Sequence, residues 1–323
     1  MTAPRALLTG GAGFIGAHLA DRLLAEDWSV VIVDDLSRGI RDPHLERIAG
    51  HPAVSVLQSD VRDLRAEDLG GEVTHVVHLA AVVGVQNVLD DPERVLRNNV
   101  ESLHSVLDLA RRQPAFERLV FPSTSEVYAG TLAEFGISFP TPEDVPLTVT
   151  PLDQPRTSYM LSKIYGEALV RQSDLPSVVV RPHNVYGPRM GTSHVVPQLL
   201  ERLARAGGGD VVVHSPDHRR TFCYIDDAVE YLVALMVEPR AVGATVNLGV
   251  QDPEVTMRDL ALLLRDVSGA DAQLVDGDEH PGSPSRRQPD TSLLRRLTGR
   301  EPAVSLEDGL SRTWAWYRDQ GLT

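Results

Sequence analysis

The stretch "LLTGGAGFIGAHLADRLL", residues 7–24, constrains this chain more than any other. An apolar run enters a glycine-rich turn and leaves it as an amphipathic segment, the pattern of a strand, a tight turn and a helix. Gly10, Gly13 and Gly16 follow a G-x-x-G-x-x-G spacing, and Gly11, Gly13 and Gly16 follow G-x-G-x-x-G. Such glycines let the backbone approach a pyrophosphate, which then faces the N–H groups of the helix opened by Phe14 and Ile15. A second apolar run, "VVIVDD", places Asp34 eighteen residues beyond Gly16. A carboxylate there can accept both ribose hydroxyls and repels a 2′-phosphate, so the expected cofactor is NAD rather than NADP. Arg38 nearby is the one feature that argues the other way.

Further apolar runs, "VSVLQSD", "HVVHLAA", "RLVFPSTS" and "SVVVRPHNVYG", alternate with helical patterns over Pro92 to Arg112 and Ser158 to Gln172. Alternation of this kind implies right-handed crossovers and a doubly wound parallel α/β sheet of Rossmann type. The pattern fades near residue 183. Helical segments at 195–206, 226–237 and 256–268 then mix with short strands at 211–214 and 244–248, and with Pro- and Gly-rich punctuation at 207–209 and 281–289. We therefore expect a nucleotide-binding domain over 1–182 and a smaller mixed α/β substrate-binding part over 183–323. Strands from 211–250 can return to the first sheet. The segment 129–157 carries five prolines and cannot be one long helix; a loop over the site and a surface excursion fit it equally well.

Two further stretches carry chemistry. "SYMLSK" sets Tyr159 and Lys163 four residues apart, on one face of a helix. An ammonium beside a phenol is expected to lower its pKa and make it a base for a hydroxyl proton. "PSTSEVYAG", residues 122–130, breaks an apolar strand into hydroxyl residues, where Thr124 can bind the same substrate oxygen. Glu126, two residues further, shares its face if the segment stays extended. The competing reading of Glu126 is a structural carboxylate that ties down nearby backbone.

With these motifs assembled, the chain resembles the extended short-chain dehydrogenase/reductase family of nucleotide-sugar epimerases, dehydratases and decarboxylases. The resemblance rests on "TGGAGFIG", "HLAA" at 78–81, Asn99 in "RNNV", "STSEVY", "SYMLSK", "RPHNVYGPRM", "RRTFCYIDDAV" and the tail from "RRQPD". It implies Thr124, Tyr159 and Lys163 as a catalytic triad, with Glu126 added for chemistry at C5 of the sugar. It places Asp60, Val61, Leu79, Ala80, Ala81 and Asn99 on the cofactor. It places Asn184 and Arg220 on the nucleotide diphosphate, Arg287 near the diphosphate or sugar, and Ser125 and Arg189 among the substrate residues; His183 and His194 border the expected sugar pocket, where a contact to a carboxylate or hydroxyl and a hydrogen-bonded packing role fit each equally well. The "TSEVY" pattern looks like that of UDP-glucuronate decarboxylases and GDP-mannose 4,6-dehydratases, and the tail "RRQPD" looks like that of the decarboxylases, so chemistry at C5 with decarboxylation is the first expectation and 4-epimerisation the alternative. The chain departs from that pattern at "VVGVQNVL" after "HLAA", at His183 where Phe is common, and at His194 where Arg is common. A homodimer through helices 92–112 and 158–172 is implied as well.

Other classes fit poorly. A net charge of −14 disfavours nucleic acid and anionic membrane as partners. The single cysteine, Cys223, excludes an internal disulfide framework and suits a reducing cytoplasm. No apolar run reaches about twenty residues, and no metal-binding or nucleophile-elbow motif is present. The rival from another class is an NAD-binding sensor that performs no chemistry.

Overall fold

The computed structural model describes residues 4–279 and 284–322, without the side chain of Val85. Part of the 281–289 punctuation thus lies outside the described residues. In chain order the first half holds β1 (Arg5–Thr9), α1 (Phe14–Leu24), β2 (Ser29–Asp34), α2 (Pro43–Ala49), β3 (Val54–Gln58), β4 (His75–His78), α3 (Val85–Asp90), α4 (Pro92–Arg111), β5 (Arg118–Pro122), α5 (Ala129–Phe135) and α6 (Pro155–Gln172). The second half holds β6 (Ser177–Pro182), β7 (Val185–Tyr186), α7 (Val195–Arg205), β8 (Asp210–Val213), β9 (Arg219–Arg220), β10 (Cys223–Tyr224), α8 (Ile225–Val237), β11 (Thr245–Leu248), β12 (Val255–Thr256), α9 (Met257–Ser268), β13 (Gln273–Asp276), β14 (Arg286–Arg287), α10 (Ser292–Thr298) and α11 (Leu306–Asp319).

Seven strands form one parallel sheet in the order β3-β2-β1-β4-β5-β6-β11. Successive residues of each strand face opposite sides, so one strand feeds two cores. Leu7, Val31, Val76, Leu119 and Val179 pack with Leu103, Val106 and Leu107 of α4. Leu8, Ile32, Val77, Val120 and Val178 pack with Leu19 and Leu23 of α1 and Leu232 and Leu235 of α8. Burial on both faces explains why these strands read as unbroken apolar runs.

Local signals set the helix starts. Asp42 and Asp91 accept from Leu45 N–H and Arg94 N–H, each followed by a proline in the first turn. Thr256 and Asp259 form a reciprocal capping box on α9. The parallel strands all end on one side, which gathers Thr9, Asp34, His78, Pro122 and Pro182 along a single edge.

The second half divides in two. β11 and α8 join the large sheet and its helical layer, whereas β8 pairs with β13 in a separate small sheet. Another small sheet, β12-β9-β14, brings Arg220 and Arg287 into register on neighbouring parallel strands. The proline-rich 129–157 segment begins with the short helix α5 and is then pinned to its surroundings. Thr131 donates to Pro146 O, Thr141 N–H donates to Gln288 O, and a carboxylate oxygen of Glu143 accepts from Asn247 N–H.

Candidate active site

The glycine turn leaves room for nothing but backbone. Gly10 sits at φ +69°, and a Cβ there would lie 2.7 Å from Ala80 N. A Cβ on Gly16 would lie 2.6 Å from Gly11 Cα, so helix and turn touch through their main chains. Leu79 N–H donates to Thr9 O at 2.9 Å, which holds residues 79–81 against this turn. Gly13 occupies the N-cap of α1 with no side chain bonded to the first-turn N–H groups. Those donors and the helix dipole suit a diphosphate. Asp34, 8% exposed, accepts from Ala12 N–H at 3.0 Å and Leu36 N–H at 2.9 Å. Each oxygen keeps a lone pair for a ribose hydroxyl. Burial raises its pKa, which the two N–H bonds oppose. Arg38 is not aimed at a 2′-phosphate position beside Asp34. Its guanidinium donates to Val83 O at 2.9 Å and lies within the electrostatic reach of Tyr159. The residues present therefore fit NAD.

Asn99 holds the rim of this cleft from α4. Its side chain accepts from Val82 N–H at 2.7 Å and donates to Val82 O and to Ser162 Oγ, each at 3.2 Å. Asp60 caps its own short turn and grips the Arg62 guanidinium, and Val61 is buried beside it. Phe14 and Ile15 are half-buried at the start of α1.

At the end of β5 the chain does not stay extended. Thr124 caps a 3₁₀ turn over Ser125–Tyr128 and accepts from Glu126 N–H at 3.2 Å. The expectation that alternation along a strand puts Glu126 on the face of Thr124 is corrected; the turn itself delivers the carboxylate. Thr124 also hydrogen-bonds Tyr159 on α6. Burial pushes the Tyr159 phenol up to about 12; the Glu126 charge adds to this, and the Thr124 bond and Arg38 oppose it.

Lys163 departs from expectation as well. Its Nζ donates to Pro122 O at 2.8 Å and lies 6.0 Å from the Tyr159 ring centre. It does not lower the phenol's pKa here. Burial instead brings the lysine's own pKa down to about 8, against the pull of Glu167. An amine that donates into the end of a strand has its charge directed at the main chain.

Glu126 meets Arg287 across the cleft at 2.5 Å. Burial works to raise the Glu126 carboxyl, but Arg287, with Arg156 and Arg220 behind it, holds it below its ordinary value. Arg220, 7% exposed, has its pKa brought down to about 9 by burial and by Arg287. Ser125 and His183 line a small open cleft with Leu132, Ile137, Phe139 and Arg287. Asn184, at φ +42°, donates its side chain to Thr221 O. His194 stands at the start of α7, its pKa lowered by desolvation and by Arg38.

Arg189 is the clear correction among the substrate residues. It is 2% exposed and bonds Asp42 through Nε at 2.6 Å, with further bonds to Ala12 O, Gly13 O and Ile40 O. A guanidinium so enclosed clamps the glycine turn to the loop after β2 and is not presented to a sugar.

The motif reading also missed a buried network below the turn. Arg181 and Glu167 pair at 2.7 Å, both 5% exposed or less at the side chain. Ser123 donates to Glu167 at 2.6 Å, and Arg181 donates to Tyr128 OH at 2.7 Å. Glu167 lies one helical turn beyond Lys163, so an i,i+4 carboxylate after the lysine was the available signal. Among the described residues no group of three His, Cys, Asp or Glu is placed to hold a metal ion, and no helix is long and apolar enough to cross a membrane.

The family model described as "NAD dependent epimerase/dehydratase family" matches residues 6–249, more than half of the chain. The chain belongs to that family. As a member of the NAD-dependent epimerase/dehydratase family it is an NAD-dependent enzyme. It is 33% identical to UDP-glucuronic acid decarboxylase 1 of Xenopus tropicalis, over 98% of this chain and 72% of that one. It is 29% identical to UDP-N-acetyl-alpha-D-glucosaminuronate decarboxylase of Bacillus cytotoxicus, over 98% of both. Among solved structures, UDP-glucuronic acid 4-epimerase from Bacillus cereus, in complex with UDP-glucuronic acid and NAD, superposes with a TM-score of 0.84 at 25% identity, over 98% of this chain and 99% of that one.

Proposed function

We propose that this family member decarboxylates a nucleoside-diphosphate uronic acid by transient oxidation at C4. The observation that carries the reading is the Glu126–Arg287 pair beside Tyr159 and Thr124. A plain 4-epimerase needs a base and room for a keto-sugar to turn. A carboxylate and a guanidinium at the same place suit removal of a carboxylate next to C5.

The Tyr159 oxygen takes the proton of the C4 hydroxyl while Thr124 donates to the same oxygen. Bound NAD supplies a hydride acceptor, and its oxidised ring adds a positive charge that favours the phenolate. A C4 ketone makes the substrate a β-keto acid. Arg287, with Arg220, holds the C6 carboxylate; CO₂ leaves as the C5–C6 electron pair moves into the ketone, giving an enol that Thr124 and Tyr159 stabilise. The Glu126 carboxylate is placed to relay a proton from solvent water to C5. Tyr159 then returns its proton to the C4 oxygen, and the bound cofactor, once reduced, would restore the hydride to C4, so the net change is uronate plus one proton to pentose plus CO₂.

The similarity to two decarboxylases supports this reading. The second reading, 4-epimerisation of the uronate, is favoured by the close superposition on a UDP-glucuronic acid 4-epimerase. A homodimer joined through α4 and α6, in the cytoplasm, is part of the proposal, and sedimentation of the purified protein checks the dimer. The chemical test is incubation with UDP-glucuronate and NAD in D₂O. We expect CO₂ and a pentose carrying deuterium at C5. Inversion at C4 without either establishes the second reading, and an unchanged sugar overturns both.

A further inference from the structure

The hydrogen bonds around His183 fix which of its nitrogens carries the proton. Asn247 donates its side-chain nitrogen to Thr141 O at 2.9 Å and Asp290 O at 3.3 Å, so its Oδ1 faces Tyr128 and His183. The Tyr128 hydroxyl accepts from Arg181 and donates to that Oδ1 at 2.9 Å. An amide oxygen only accepts, so His183 Nε2, 3.2 Å away, must be the donor. Burial brings the His183 pKa down to about 3, and Arg287 and Arg181 reinforce this against the Asn247 bond. The ring is therefore the neutral Nε2–H tautomer. Its Nδ1 is a bare acceptor, buried and without a partner among the described residues. A buried polar atom left this way calls for a donor from elsewhere.

His183 forms part of the cleft that begins at Ser125 and Arg287. Leu132, Ile137 and Phe139 make its far wall apolar. A carboxylate does not suit Nδ1, because two acceptors would face each other. A suitable occupant carries one N–H or O–H donor, one acceptor for Ser125, and a small apolar end.

We infer that this cleft receives an N-acylamino group of the sugar, with its N–H donated to His183 Nδ1 and its methyl group against Leu132, Ile137 and Phe139. His183 is then the residue that selects an N-acetylated nucleotide sugar over its hydroxyl counterpart. This inference rests on the reading that a nucleotide sugar binds beside Thr124 and Tyr159.

The test is calorimetric titration of the NAD-loaded protein with UDP-N-acetylglucosaminuronate and, separately, UDP-glucuronate. The N-acetylated ligand is expected to bind about tenfold tighter, the scale set when a buried polar group gains or loses its partner. His183→Phe keeps the ring's bulk and removes the acceptor, and should cut the preference to about twofold or less. Leu132→Trp fills the cleft from a different wall and should weaken only the N-acetylated ligand. In ¹⁵N spectra the bare Nδ1 signal of His183 should move on adding the N-acetylated ligand and stay in place with the other. Equal affinity of the unmodified protein for both ligands overturns the inference and leaves the nucleotide-sugar reading intact. Failure to bind either overturns both.

Discussion

The cofactor turn and the Glu126–Arg287 cluster lie along the same edge of the sheet, yet they are built in different ways. The turn is assembled from residues 9–16 with Asp34 and Ala80 close by, and its function needs main-chain shape: positive φ at Gly10, bare Cα atoms at Gly10 and Gly16, and an uncapped helix start. The cluster joins side chains 161 positions apart in sequence, on a 3₁₀ turn and on a two-residue strand. The first is a backbone site that tolerates no added atoms. The second is a charge site whose members can be changed one at a time. Substitutions in the turn should therefore impair every step together, whereas substitutions in the cluster should separate one step from the next.

Four experiments sharpen or break that contrast. The largest effect is expected from Tyr159→Phe, which removes the base shared by all steps. Turnover should fall by about 10³- to 10⁴-fold with little change in NAD affinity, and unchanged turnover would show that Tyr159 is not the base. Next is Gly16→Val. Its side chain would meet Gly11 Cα and Gly10 O, so NAD affinity measured by titration should fall by about a hundredfold or more while the substrate residues are untouched. Glu126→Gln should lower CO₂ release and deuterium uptake at C5 by about a hundredfold, with oxidation at C4 retained. Equal loss of both steps would show that the cluster is as indivisible as the turn.

The smallest effect concerns pH and stability. Burial brings His78 and His183 down to about 3 and His75 down to about 4. Below the ordinary histidine value the unfolded chain takes up protons that the folded chain refuses, so stability present above pH about 6.5 is lost as pH falls toward 4. Each such group adds at most about 1.4 kcal/mol per pH unit to that slope. His78→Asn should flatten the acid limb of a denaturation series by roughly one proton, and an unchanged slope would show that the ring is charged when folded.

Legibility in the sequence follows the same division. The glycine turn, Asp34, the alternation of strands and the Tyr159–Lys163 spacing are local patterns, and local patterns can be read directly. Arg189 could not be read this way. A basic residue after "NVYGP" looks the same whether it faces a sugar or closes on Asp42, and only the fold brings Asp42 to it. The 3₁₀ turn at Ser125–Tyr128 was hidden because an apolar strand with a polar end gives no sign of where extension stops. Lys163 shows the limit of spacing. Being four residues from Tyr159 puts it on the right face, but the carbonyl of Pro122 determines where its charge points. The return of β11 to the large sheet and the pairing of β9 with β14 depend on contacts between segments far apart in the chain.

The account turns on a tyrosine that deprotonates a sugar hydroxyl while the neighbouring dinucleotide is reduced. Single-turnover fluorescence of reduced NAD, after mixing UDP-glucuronate with the NAD-loaded protein, tests this most directly. A transient rise and decay in the unmodified protein, slowed when C4 carries deuterium and abolished in Tyr159→Phe, is the predicted result. Product formed with no transient and no isotope effect, or at the same rate in Tyr159→Phe, would contradict it.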